Sequence, residues 1–258
     1  MGYDAAGRSM RRVLSRGTLP DMAVTEPDIE LLDRARRYKQ EAVAQLFRIY
    51  YPQVVRIAHG LSGRGDVAAG IVRFVMKRGL RVVPKWRDEG EPQRWFMHHT
   101  VLTARRAHKH PPQPDKDLFV AMALTRDADY TAFIRALRSL PMQQREAFIL
   151  HHGERLNERY LAVAMDCSVE AARNHLRVAE DSLRALAGSA YEAYREELAR
   201  TYAGMSPAED VVIPRVSRQV ARYIWPRRMW RITKWVIVLG LLATIAWAAW
   251  RIYPQIEI

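Results

Sequence analysis

Glu170, Arg173, Asn174 and Arg177 carry the most informative chemistry in this chain. Their spacing of three, one and three residues places them in one row along a helix. Ser168 stands just ahead of the row as an N-cap. Arginine pairs with guanine edges or phosphate oxygens, and asparagine with adenine, so the row has the chemistry of a base reader. It equally suits the solvated face of an ordinary helical hairpin, and the pattern alone leaves both open. Other chemistry is scarce. No Ser/His/Asp set, phosphate-cradling glycine loop or suitably placed carboxylate pair is present, so the chain reads as no enzyme, with no cofactor. The paired histidines His98-His99 and His151-His152 suggest a metal, but neighbours on an α-helix point about 100° apart and do not chelate. The sequence therefore predicts no metal site.

The elements that must position the row are legible. Pro141 can open a helix, because its missing N–H has no partner in the first turn. Ala147, Phe148, Leu150 and His151 continue it to Gly153. Asn157 caps a second, short helix with Leu161 and Ala164 inside. Met165-Asp166-Cys167 forms a tight turn, where Asp tolerates left-handed backbone. After Ser168 a third helix places Val169, Ala172, Leu176, Ala179, Leu183 and Leu186 on one buried face. Two helices joined by a short turn, the second bearing a polar row, follow the logic of a helix-turn-helix.

Charge is distributed unevenly. The 258 residues carry a net charge of +13, which points to an anionic partner. Residues 31–110 hold seventeen Lys/Arg against six Asp/Glu, residues 135–186 hold eight against seven, and residues 213–234 hold seven against none. The reader is thus nearly neutral, and salt-dependent affinity for nucleic acid would come from elsewhere in the chain. One cysteine, Cys167, excludes an internal disulfide and fits a reducing compartment.

The first half is helical as well. Residues 1–29 form a flexible arm without periodicity. A helix opens at Leu31-Leu32. A second runs from Glu41, with Pro52 expected to kink or restart it. A third spans Val67 to Val83, and a fourth spans Gln93 to His110. Pro111-Pro112-Gln113-Pro114-Asp115 reads as an extended linker. Near the C-terminus, Trp235 to Trp250 is an unbroken apolar run between Lys234 and Arg251. It reads as a membrane span, and the cations before it predict that the N-terminal side is cytoplasmic.

Residues 140–186 resemble region 4 of the extracytoplasmic-function (ECF) sigma factors of bacterial RNA polymerase, members of the sigma-70 family. The likeness rests on Leu140-Pro141, Arg145-Glu146-Ala147-Phe148, Leu156-Asn157, Cys167-Ser168-Val169, and Arg173 followed by Leu176. It implies a domain that binds the promoter's upstream element through Ser168, Glu170, Arg173, Asn174 and Arg177. Residues 30–110 more weakly resemble region 2 of the same family, through Leu46-Phe47, Tyr50-Tyr51-Pro52 and Trp95. That implies contact with the polymerase clamp through Ile71, Val72, Arg73 and Phe74, and opening of the −10 element. The family's acidic residues are missing from the run Gly70-Ile71-Val72-Arg73-Phe74, and Leu102 and Arg106 replace its Asn and Asp in the fourth helix. Strand opening needs aromatic faces and a cationic groove. Trp95, Arg105 and Lys109, with Trp86, Phe96 and Arg94 nearby, have that chemistry; Trp95 and Phe96 equally suit a core.

The sequence thus predicts an all-α protein of two helical domains plus one C-terminal transmembrane helix. The expected parts are a flexible arm (1–29), a region 2-like domain (30–110), a linker (111–127), a region 4-like helix-turn-helix domain (128–187), a helical basic juxtamembrane segment (188–232), a transmembrane helix (233–253) and a short external tail (254–258). The expected partners are core RNA polymerase, promoter DNA, membrane lipid, and an anti-sigma or other regulatory protein. The expected location is the inner membrane, single-pass, with the N-terminal domains cytoplasmic. The expected function is tethered transcription initiation, or a membrane-anchored interaction protein on a degenerate sigma scaffold.

Overall fold

The computed structural model describes residues 27–107, 117–125 and 127–252, all helical or connecting, with no strand among them. The expected N-terminal arm up to residue 26, the proline-rich run 111–115, the end of the fourth helix including Lys109, and the tail 254–258 lie outside the described residues.

Four helices build the first unit: α1 (Ile29–Arg36), α2 (Gln40–Ser62), α3 (Gly65–Val82) and α4 (Glu91–Ala107). Apolar positions recur at helical spacing, so each helix buries one stripe against the others. At the centre Phe96 stacks on Tyr50 with centroids 5.3 Å apart and meets Phe47 edge-on, also at 5.3 Å. Trp86 completes this cluster at 5.7 Å from Phe96 and is only 2% exposed. Of the expected kink or restart at Pro52, the restart does not occur: α2 runs through the proline as one helix. Its neighbours Tyr51, Gln53, Val54 and Val55 are buried, and their packing offsets the backbone hydrogen bond that proline cannot make.

The second unit contains α5 (Leu118–Ala123), α6 (Ala128–Ser139), α7 (Met142–Phe148), a π-helical turn (Ile149–Gly153), α8 (Glu158–Met165), α9 (Val169–Ala187) and α10 (Tyr191–Ala203). Part of the expected linker, residues 111–127, is therefore helical. Asp117 caps α5, its side chain accepting from Phe119 N at 2.9 Å and Val120 N at 3.4 Å.

The two units pack on one another. Arg56 in α2 makes a two-pronged bond to Glu154, at 3.0 and 2.5 Å, and both are buried. Arg105 in α4 grips buried Glu146 of α7 at 2.7 to 3.0 Å. Arg138 donates to the carbonyl of Gly60 at 2.8 Å and pairs with Asp117 at 2.6 Å. Two glycines allow this approach. A Cβ on Gly60 would lie 2.6 Å from the buried Tyr202 ring. Gly63 caps α2 at φ +66° and sits against Asp117 and Arg138, where a side chain would clash.

The chain closes with α11 (Glu209–Ile252). Val212, Val216, Val220 and Ile224 recur every four residues, are buried, and face α2. Trp230, Trp235, Leu239, Leu242 and Trp247 farther along are exposed.

The expected transmembrane helix at 233–253 is corrected here. Among the described residues no helix is long and apolar enough to cross a membrane. The apolar stretch between Lys234 and Arg251 rises only about 24 Å at 1.5 Å per residue, against a hydrocarbon core of about 30 Å. It continues a basic helix whose first half belongs to the protein core. The single-pass inner-membrane location that rested on this span is overturned with it, and membrane lipid loses its support as a partner. The all-helical character stands.

Candidate nucleic-acid interface

α8 and α9 form a compact helix-turn-helix with caps where the residue types predict them. The Asn157 side chain accepts from Tyr160 N at 3.0 Å and starts α8. Asp166 ends it in the left-handed region at φ 57°, ψ 51°. Ser168 Oγ then accepts from Ala171 N at 3.1 Å and starts α9. Ala172, Leu176, Ala179 and Leu183 are buried as expected, whereas Val169 and Leu186 are 37% and 55% exposed. These two sit in the first and last turns of α9.

Ser168, Glu170, Arg173, Asn174 and Arg177 are all exposed on α9 or its cap. Surface partners hold the arginines in place. Arg173 binds Glu158 of α8 through two bonds of 2.9 and 2.6 Å. The hydrogen bond raises the arginine's pKa and lowers that of the carboxylate. Arg177 reaches Asp181 at 3.2 Å and donates to Asn174 Oδ1 at 3.1 Å. Such exposed pairs contribute little to stability and exchange readily for other anions or acceptors. Glu158 is the member of this set that sequence reasoning missed. It lies fifteen residues from Arg173, outside the reach of any helical spacing.

Trp95 comes next to this reader. With Arg94 and His98 of α4 it lines a cleft of about 740 Å³ whose other wall includes Arg159, Ser168 and Val169. Trp95 is half-buried against the core, 5.2 Å from Phe96 and 4.3 Å from the His99 ring. Burial and the neighbouring charge of Arg78 lower the His99 pKa to about 4, so its imidazole is neutral near pH 7. Trp86 and Phe96 are buried and offer no face for stacking. Arg105 faces inward. Burial opposes its charge, but the bond to Glu146 outweighs that effect and raises its pKa, while burial pulls the Glu146 carboxyl up.

The four residues expected at the polymerase lie elsewhere, on α3. Ile71 and Val72 are buried, and Arg73 and Phe74 are exposed. They do not join the α4–α9 cleft.

Among the described residues, His151, His152 and Glu180 could together hold a metal ion, with one ligand atom from each within 4.8 Å of the others. The π-helical turn departs from the α-helical geometry behind the sequence argument against the histidine pair. His152 Nε2 lies 2.8 Å from Glu180, and His151 Nδ1 lies 2.8 Å from the carbonyl oxygen of Leu156. Burial lowers the His152 pKa to about 3, helped by His151, Arg195 and Arg184. Those two arginines oppose a further cation there.

The chain has no match among curated proteins. Residues 130–183 match the family described as Sigma-70, region 4, a span that begins in α6 and ends near the close of α9. The polar row of α9 and the turn that joins it to α8 lie within this stretch of similarity to sigma-70 region 4.

Proposed function

We propose that this protein is a sigma-like transcription initiation factor, not an enzyme, that presents α9 to the major groove of promoter DNA and carries core RNA polymerase to it. The observation that carries this reading is the row Glu170, Arg173, Asn174 and Arg177. It is exposed within the segment that matches sigma-70 region 4, and its arginines are held by exchangeable surface partners. Base contacts from such a row supply specificity, while affinity depends on phosphate contacts and on the polymerase. The basic first unit supplies cations for the former. An anti-sigma or other regulatory protein is a further partner in this reading.

The test is co-purification with core RNA polymerase, followed by transcription in vitro from a promoter library. Promoter-specific transcripts that disappear with Arg173→Ala support the proposal. Failure to bind core enzyme and to start transcripts sinks it.

A second reading is an interaction or regulatory protein on a sigma-like scaffold, without initiation activity. The burial of Ile71 and Val72 favours it, as does the absence of acidic residues from the run 70–74. Polymerase-independent protection of DNA in footprinting would instead identify a stand-alone helix-turn-helix regulator.

A further inference from the structure

A groove of about 960 Å³ runs between α3 and the first half of α11, away from the reader. One wall carries Arg73 and Lys77, one helical turn apart on α3. The other carries Arg215, Arg218 and Arg222, at offsets of three and four on α11. Among the described residues, no aspartate or glutamate lines the groove. All five cations are exposed, and none pairs with a carboxylate among the described residues. Elsewhere on the surface Arg36, Arg64, Arg94, Arg173, Arg177 and Arg200 each meet an acid, whereas here five cations converge on one groove and none of them does. Within the groove, Arg215 bonds the Tyr51 hydroxyl at 3.4 Å, and Arg218 bonds the carbonyl of Pro214 at 3.2 Å.

Two facing rows of like charge repel across the seam that α11 closes on α2 with Val212, Val216, Val220 and Ile224. An anion of several charges would remove that repulsion. Four of the five cations are arginines, whose planar forks match phosphate oxygens in pairs. Tyr51 is 3% exposed and presents no open ring face, so the groove offers ion pairing without base stacking at that position. The volume falls in the range of small-molecule sites.

We propose that this groove binds a small oligophosphate, a ligand with adjacent phosphoryl groups such as a nucleoside triphosphate, and that the bound anion fastens α11 to the first unit. The proposal is independent of the transcription reading, because its test uses neither polymerase nor promoter.

Titration calorimetry of the full chain with inorganic tripolyphosphate and with ATP provides the test, with thermal melting run in parallel. The expected result is saturable binding of one ligand per chain, with a raised Tm. Arg218→Ala combined with Arg222→Ala should weaken binding at least tenfold, and so should Arg73→Ala with Lys77→Ala on the opposite wall. Arg81→Ala with Lys85→Ala, exposed cations outside the groove, should change it less than twofold; circular dichroism establishes that each variant is folded. Equal affinity for the two ligands assigns recognition to the phosphates alone, and tighter ATP binding assigns it to a nucleotide; both support the site. No saturable binding, or equal weakening by all three double variants, overturns it. Equally tight binding of an oligoglutamate of matched charge overturns the preference for phosphate. Tighter binding of a single-stranded DNA 12-mer through the same arginines makes the groove a nucleic-acid track and overturns the small ligand.

Discussion

The seam between the two units and the reader face of α9 are built from the same chemistry, an arginine fork on a carboxylate. At the seam, Arg56–Glu154 and Arg105–Glu146 place the carboxylate within the core, where water cannot replace the lost partner. On α9, Arg173–Glu158 and Arg177–Asp181 are open to solvent on both sides. Burial separates a structural pair from an exchangeable one. A buried pair is weak evidence for net stability, since desolvation offsets much of its attraction, but breaking it strands a charge. An exposed pair can be given up to a phosphate or a base edge at little cost.

The comparison is broken most directly at the seam. Glu154→Ala leaves the Arg56 charge buried without its partner and should cost about 3–5 kcal/mol, measured by urea unfolding. Replacing both partners with apolar residues should recover most of that loss. If Glu154→Ala is neutral, the seam is no more structural than the surface.

Next in size is an acid effect in the second unit. His152 has its pKa lowered to about 3 by burial, so the unfolded chain takes up a proton there more readily than the folded one. Its contribution is fully present above about pH 6.5 and is lost as pH falls through the window toward 3. Wild type should therefore lose about 2 kcal/mol more than His152→Gln between pH 7 and pH 5, read from urea midpoints at each pH.

Gly60→Ala tests how closely the units approach. The added Cβ meets the Tyr202 ring, and overpacking of this kind costs about 1–3 kcal/mol. Gly153 of the π-helical turn also lies against the Tyr202 ring, which leaves the ring little room to move.

The smallest stability effects belong to the reader, where the readout is DNA affinity. Arg173→Ala should leave the melting temperature unchanged and weaken promoter binding by about tenfold or more, in the range of one lost base or phosphate contact. Glu158→Ala should also leave stability unchanged but strengthen binding a few-fold, because it removes the acid that competes for Arg173. A large drop in Tm for either variant would erase the distinction between the two kinds of pair.

The reader helix was legible because its signals are local. Asn157, Asp166 and Ser168 act on backbone groups within three or four residues, and Ala172, Leu176, Ala179 and Leu183 reveal one face by period alone. The same reasoning failed at Val169 and Leu186, whose period is right but which lie in the first and last turns of α9 and stay exposed. Trp86 and Phe96 had the composition of a stacking platform, and only packing made them core. The apolar run near the C-terminus looked like a membrane span by composition, but its length falls short once it is a helix of fixed rise.

By itself, the sequence determined the two reader helices, their caps, the polar row on α9 and the strongly basic balance of the chain. Each of these depends on short-range hydrogen bonds, residue period or simple counting. The tertiary structure decided which charges are buried, which are paired and which remain open. Arg56 and Glu154 are 98 residues apart in the chain and Arg105 and Glu146 are 41, and nothing in their spacing brings them together. Their meeting depends on helices packing through apolar faces, and desolvation at that contact separates the fixed arginines of the seam from the exchangeable ones of the reader.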